Sequence, residues 1–213
     1  MNRHNAIFLF DTESGERHQV TSGFYSEQNP AFDPDGSYLY VLTSRTMSPS
    51  YGDVDNSFIY ANTTNVAAIP LRVDVPSPLA PRNDEEEVAD EEPAEEDTDD
   101  AEAEEQEDSL QIDIEGFERR LVVLPAAAGN YADLRAVSGK VIYHRAPRTG
   151  SGDQAAPLVM WDLEEREEST ILDNVSGFEI SADGKKLLAI ANGGFAILDL
   201  RPGQKMNGRL DLS

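Results

Sequence analysis

The chain has 213 residues, with 41 acidic against 17 basic side chains, a net charge of −24 and no cysteine. So negative a chain repels the phosphates of nucleic acid and of anionic membrane, and the lack of cysteine excludes disulfides, thiolate metal sites and a cysteine nucleophile. The charge is localised: 17 of the acidic residues lie between Asp84 and Asp108, where no Lys or Arg occurs, which leaves only −7 for the rest.

Short apolar or alternating runs punctuated by Gly, Asp, Asn and Pro predict strands throughout. Ile7–Asp11 is the first, followed by a turn at Glu13–Glu16 and a second run at His18–Thr21. Pro30–Phe32 leads into the turn Asp33-Pro34-Asp35-Gly36 and the strand Tyr38–Thr43. Asp-Gly between two apolar runs is a hairpin signal, because Gly tolerates positive φ and Asp caps its own turn. The same turn resembles the opening of a calcium-binding loop, but a Pro sits between its Asp residues, no closing Glu follows and no helix flanks it, so a hairpin is the reading.

Ser44–Asn65, rich in Ser, Asn, Tyr and Asp, is expected to be a long ordered loop. Three prolines in Val75–Pro81 predict an extended segment leaving the sheet for solvent. The following stretch, 82–109, holds the one-sign block Asp84–Asp108 and has almost no large apolar residues. Ordering it would cost about 1–2 kcal/mol per residue in backbone entropy with nothing buried in return, so a disordered acidic insertion is expected. It lacks the spaced ligands and the Gly turn of a specific Ca²⁺ site.

Beyond it, Leu121–Leu124, Tyr131–Val137, the turn Ser138-Gly139-Lys140 and Val141–His144 form a weak copy of the first unit. Leu158–Asp162, Thr170–Leu172, Gly177–Ile180, the turn Ser181-Ala182-Asp183-Gly184 and Lys186–Ala191 form a stronger one. A shift of 148 positions lays Phe32 on Ile180, Asp35 on Asp183, Gly36 on Gly184 and Leu39 on Leu187. Phe195–Leu200 then reads as the start of a further blade, with its Asp199 37 residues after the matching Asp162. Repeats of roughly 40 residues without helical periodicity indicate propeller blades. The fold expected is all-β: a partial propeller of about three four-stranded antiparallel blades, with blades at 1–81 (long loop at 44–65) and 110–213 around the acidic insertion at 82–109. A closed ring usually takes about four to eight blades, so the isolated piece is expected to be marginally stable or to associate through its open sheet edges.

Candidate chemistry is sparse. His4, His18 and His144 stand singly, without marked metal or triad partners, and read as surface or strand-edge residues. No serine sits in a Gly-x-Ser-x-Gly elbow. Thr149–Asp153 is glycine-rich but has neither a Lys nor a following helix, and reads as a connector between blades. Trp161-Asp162 echoes the dipeptide of WD repeats without their Gly-His; core packing, with the indole N–H on a carbonyl, is expected. The glycosylation sequons Asn62-Thr63-Thr64 and Asn174-Val175-Ser176 are read as chance matches. No catalytic, cofactor-binding or metal residue is assigned, and no cofactor is expected.

The run Phe24–Tyr40, the proline-rich Ile69–Pro81 ahead of an acidic insert, and Ile112–Arg120 leading to Pro125 and Gly129-Asn130-Tyr131 together resemble the propeller of tricorn proteases and their bacterial relatives. The Phe-x-Pro-Asp-Gly signature alone is shared with TolB-like propellers and prolyl oligopeptidase relatives. The resemblance implies a piece of the later part of a second propeller, guiding or filtering peptides toward a serine-peptidase core that lies outside this chain, in a homo-oligomeric parent built from further blades and that core. No catalytic residue carries over. The alternative is a TolB-like or WD-like interaction module with no enzyme attached; a stand-alone hydrolase lacks a nucleophile–base pair. The N-terminus has no signal-peptide core, which fits the cytoplasm, whereas a signal peptide upstream in a longer parent would place it in the periplasm.

Overall fold

In the computed structural model, residues 4–47, 49–52, 57–82 and 110–210 are described. The predicted acidic insertion, Asp84–Asp108, lies outside them. Among the described residues every regular element is a strand, apart from one 3₁₀ turn at Phe117–Arg120.

The strands form radial sheets. β1 (Phe8–Phe10) and β2 (Arg17–Gln19) make a two-stranded sheet. β3 (Glu27–Phe32), β4 (Tyr38–Thr43), β7 (Asn65–Pro70) and β8 (Val122–Val123) make the first complete blade. β5 (Ser50–Gly52) and β6 (Ser57–Ile59) pair as a small hairpin inside the expected long loop. β9 (Asn130–Val137), β10 (Lys140–Ala146), β11 (Leu158–Asp162) and β12 (Glu167–Leu172) make the second. β13 (Gly177–Ile180), β14 (Lys186–Ala191) and β15 (Gly194–Asp199) make a third of three strands, with a bridge from Ala196 to Arg209 where a fourth would stand.

Three apolar cores lie between consecutive sheets. Ile7 and Val20 of the first hairpin meet Leu39, Val41, Ala67, Ile69 and Phe117. The opposite faces of the same strands, Tyr40, Leu42, Val66 and Ala68, meet Leu134, Val141, Tyr143, Val159 and Trp161. Ile142, Leu158 and Met160 in turn meet Phe178, Leu187, Ala189 and Leu198. Middle strands are therefore buried on both faces, which is why Tyr38–Thr43 and Asn65–Pro70 are continuous apolar runs rather than alternating ones. Each fully buried Leu or Ile contributes about 1.5–3 kcal/mol.

The repeat read from the turns holds. Gly36 and Gly184 sit at φ 69° and 67°, and each donates its N–H to the first residue of its turn, Asp33 O at 3.0 Å and Ser181 O at 2.8 Å. Four expectations of the fold need correction. Phe195–Leu200 does not start a further blade: Gly194–Asp199 pairs along its length with Lys186–Ala191 as the third strand of the last sheet. Val122–Val123 is not the start of the weak middle copy; it pairs with Ala67 and Ala68 and closes the first blade. Val75–Pro81 does not run into solvent: Ala80 N–H bonds Ser77 O at 2.9 Å, Pro78 is buried, and the Tyr38 hydroxyl donates to Pro76 O at 2.9 Å. Thr149–Asp153 joins β10 to β11 within one blade rather than joining two blades.

Candidate groove and inner wall

In an antiparallel four-stranded meander the first and third connections leave the sheet at the same end. That end of all the blades forms one face of the molecule. Ser138 of the second blade donates its hydroxyl to Asp35 of the first at 2.6 Å, joining two first turns. Arg82 donates to the carbonyls of Leu163 and Glu164, and Arg166 to Ala80 O, joining two third connections. Both stems of the acidic insertion rise from this face. The returning stem is stitched to the end of β7 by Arg120, whose Nε lies 2.9 Å from Pro70 O and whose Nη2 lies 3.2 Å from Leu71 O.

A groove of about 370 Å³ opens there between the first turns, lined by Pro34, Arg135–Ser138 and Glu179–Gly184. Its walls take in the ends of β9 and β13 and the turn that follows β3; these are the first strands of their sheets, and β3 and β9 lie side by side. These strands form the inner wall of the blade array. β3 and β9 share an irregularity: Asn29-Pro30 oppose the single residue Val41, and Asp133-Leu134 oppose the single Tyr143. Asn29 and Asp133 take φ of 51° and 54° at these bulges, a conformation that Asn and Asp tolerate better than other side-chain-bearing residues. Bulges re-aim side chains; here Gln28, Asn29 and Asp133 are left exposed on the inner strands. Arg135 on β9 reaches Glu179 on β13 at 3.6 Å, an exposed pair bridging two blades at the groove.

On the first interface a charged group is buried. Glu27 is 1% exposed and its Oε1 accepts from the Thr43 hydroxyl at 3.1 Å and from Arg45 Nη2 at 3.1 Å. The same Nη2 reaches Glu118 Oε1 at 2.9 Å, and Glu118 Oε2 accepts from Ser22 N–H at 2.7 Å. The guanidinium lies over the Tyr25 ring, 4.6 Å from its centroid. Burial pushes the Glu118 carboxyl up, but the Ser22 and Arg45 donors outweigh it and hold it below its ordinary value. On the turn face the opposite holds for Asp33: burial raises its pKa over the lowering effect of its turn N–H groups.

The histidines are scattered. His4 Nδ1 lies 2.7 Å from Phe24 O, His18 lies 3.6 Å from Glu16, and His144 lies 3.6 Å from Asp133 with Nε2 3.2 Å from Ala156 O. Among the described residues no three His, Asp or Glu side chains cluster as metal ligands. Asn62, of the first sequon, is tied into a loop knot: its Oδ1 accepts from Asn130 Nδ2 at 3.0 Å and from Thr149 N–H at 2.8 Å. Trp161 packs in the second core, yet its indole N–H has no partner among the described residues, contrary to expectation. Asp162 acts as a turn cap, taking Glu164 N–H at 2.9 Å, as Asp11 takes Glu13 N–H at 2.8 Å. The bulged inner wall and the Glu27–Arg45–Glu118 group escape sequence reading. A polar residue breaking an apolar strand (Asn29, Asp133) was the one available signal.

Residues 1–201 match the family described as the tricorn protease second beta propeller domain. A tricorn protease homolog of Saccharolobus solfataricus is 27% identical over 92% of this chain and 17% of its own length. Tricorn protease homolog 1 of Streptomyces coelicolor is 30% identical over 79% of this chain and 16% of its own. In fold, the chain is similar to a crystal structure of the tricorn protease, with a TM-score of 0.68, 20% identity, and coverage of 96% of this chain and 20% of the other. The chain thus spans less than a fifth of the length of these two curated relatives.

Proposed function

Because the chain belongs to the tricorn protease second β-propeller family, we propose that it serves a serine peptidase as a wall that guides and filters peptides, not as the catalyst. One observation carries this: the exposed polar side chains of the bulged first strands, Gln28, Asn29 and Asp133, share one inner wall with the Arg135–Glu179 pair and the groove between the first turns. An extended peptide passing along that wall meets backbone edges and a few fixed charges, which suits contact with many sequences at modest affinity. The cleavage chemistry belongs to other domains of a longer parent; the family resemblance extends the proposal to a homo-oligomeric parent, which light scattering on the full-length protein tests.

The test uses the whole peptidase. Reversing the wall charges with Asp133→Lys and Glu179→Lys is expected to change KM for peptides of ten or more residues several-fold, in a manner that depends on peptide charge. The kcat/KM for a single-residue fluorogenic amide should stay the same. Equal changes for both substrates, or none for either, would remove the wall from the substrate's path.

A further inference from the structure

The groove between the first turns is narrowed by a close approach of backbone. Gly184, at φ 67°, lets the turn of the last sheet come so near the second blade that a Cβ there would lie 3.3 Å from Val137 Cγ1. Val137 is buried and Ile180 half-buried, and with Ala136, Ala182 and Pro34 they give the groove an apolar lining. That lining comes from three successive first turns and from β9 and β13, so consecutive blades build it from both sides.

The charges around it are unequally engaged. Among the described residues that line it, Arg135 alone is cationic. Its Nη1 donates to Leu134 O at 3.1 Å, and its guanidinium lies over the Phe178 ring, 5.9 Å from the centroid. Its approach to Glu179 Oε1, at 3.6 Å, is longer than a hydrogen bond. Asp183 commits Oδ1 to its own turn, accepting from the Ser181 hydroxyl at 2.5 Å and from the Lys185 N–H at 3.1 Å. Those donors hold its carboxyl below the ordinary value, so it stays ionised. Lys185 itself lies outside the lining. Asp35, whose Oδ2 takes the Ser138 hydroxyl at 2.6 Å, places a third carboxylate at the rim.

We infer that this groove is a subsite for one lysine or arginine side chain of a passing peptide. The inference rests on the reading of the inner wall as a peptide guide and names the residue that the wall retains. An aliphatic stem lies along Val137 and Ile180, and its cationic head meets Glu179 and Asp183. Long basic side chains pack in this way, methylenes on apolar surface and charge at the edge. An acidic side chain has no counterpart there, because Arg135 is already held by a carbonyl and a ring.

The test uses the whole peptidase and three peptides of equal length that differ at one internal position. That position holds Lys, norleucine (the stem without the charge) or Glu. KM for the Lys peptide is expected about fivefold below that for norleucine, the size of one charge-assisted contact that stays partly solvated. The Glu peptide should have the highest KM, and the gap between Lys and norleucine should narrow as salt is raised. Glu179→Gln combined with Asp183→Asn, which keeps the Oδ1 acceptor of the turn, should erase most of that gap. Should this variant misfold, Ala182→Trp, which fills the groove from an exposed turn position, should erase it instead. Glu167→Gln, an exposed carboxylate on the outer strand β12, should leave it in place. Equal KM for Lys and norleucine in the unaltered enzyme, or a gap that survives in the groove variants, would overturn the inference. The wall reading fails on long against single-residue substrates, whereas this one fails on a single side chain within long ones, so each can fall with the other left standing.

Discussion

The interface between the two complete blades and the one between β1–β2 and the first blade join similar sheets by different means. Between the blades, Tyr40, Leu42, Val66 and Ala68 meet Val141, Tyr143, Val159 and Trp161, and apolar packing does the work. At the first interface a smaller apolar core is supplemented by the chain of charges Glu27–Arg45–Glu118, closed onto the linker by Ser22. Where the sheet is only half a blade and less apolar surface is covered, charge-assisted hydrogen bonds carry more of the attachment. A buried charge also makes that attachment brittle, because removing one partner strands the other.

Arg45→Met tests this most severely. It leaves Glu27 buried without its cation and Glu118 held by Ser22 alone, and a loss of about 3–5 kcal/mol is expected in urea unfolding. A loss below about 1 kcal/mol would mean that the Glu27 carboxylate finds water or another donor once the guanidinium is gone. Ile142→Ala, in the core between the second blade and the three-stranded sheet, should cost about 2–5 kcal/mol. Phe8→Ala, on the open face of β1, should change stability by less than about 0.5 kcal/mol despite removing a larger side chain. Equal effects at the two sites would show that the end face is covered in solution.

Much of this contrast was legible in the sequence, and the limit lay in sequence distance. The hairpin turns at Gly36 and Gly184 are written locally, in an Asp-Gly pair that fixes backbone sign. The double-sided burial of Tyr38–Thr43 is written in its unbroken apolar run. The fourth strand of the first blade was not, because the chain returns to it only after the acidic insertion, and two valines carry no register. Nor could the charge group be read, since Arg45 and Glu118 lie 73 positions apart and each looks like an ordinary surface residue. The bulges at Asn29 and Asp133 follow from strand pairing, which no single strand displays alone.

Smaller effects sharpen the same comparison. Gly184→Ala places a side chain at φ 67°, with the added carbon 3.3 Å from Val137 Cγ1 across the interface. It should cost about 1–2 kcal/mol by thermal melt. Gly193→Ala, at φ 70° with no atom within 4 Å, isolates the backbone part of that cost. The difference between the two variants reports how tightly the last sheet is seated.

The smallest expected effect concerns pH and asks whether the first interface depends on charge. Glu118 has a folded pKa below its ordinary value, because the Ser22 and Arg45 donors outweigh its partial burial. A depressed carboxyl contributes stability that is present above the unfolded pKa, about 4.3, and is lost as pH falls through the folded value. Asp11, Asp162, Asp183 and Asp199 are also held low by their turn and ion-pair donors, so the whole chain weakens in acid and the raw slope identifies no single residue. The difference between the unaltered chain and Glu118→Gln does. Gln still accepts from Ser22 but no longer titrates, so urea midpoints for the two should be furthest apart at pH 6 and converge as pH falls from about 5 to 3. A gap that stays constant over that range would show that Glu118 holds the hairpin by shape and hydrogen bonding, with its charge irrelevant.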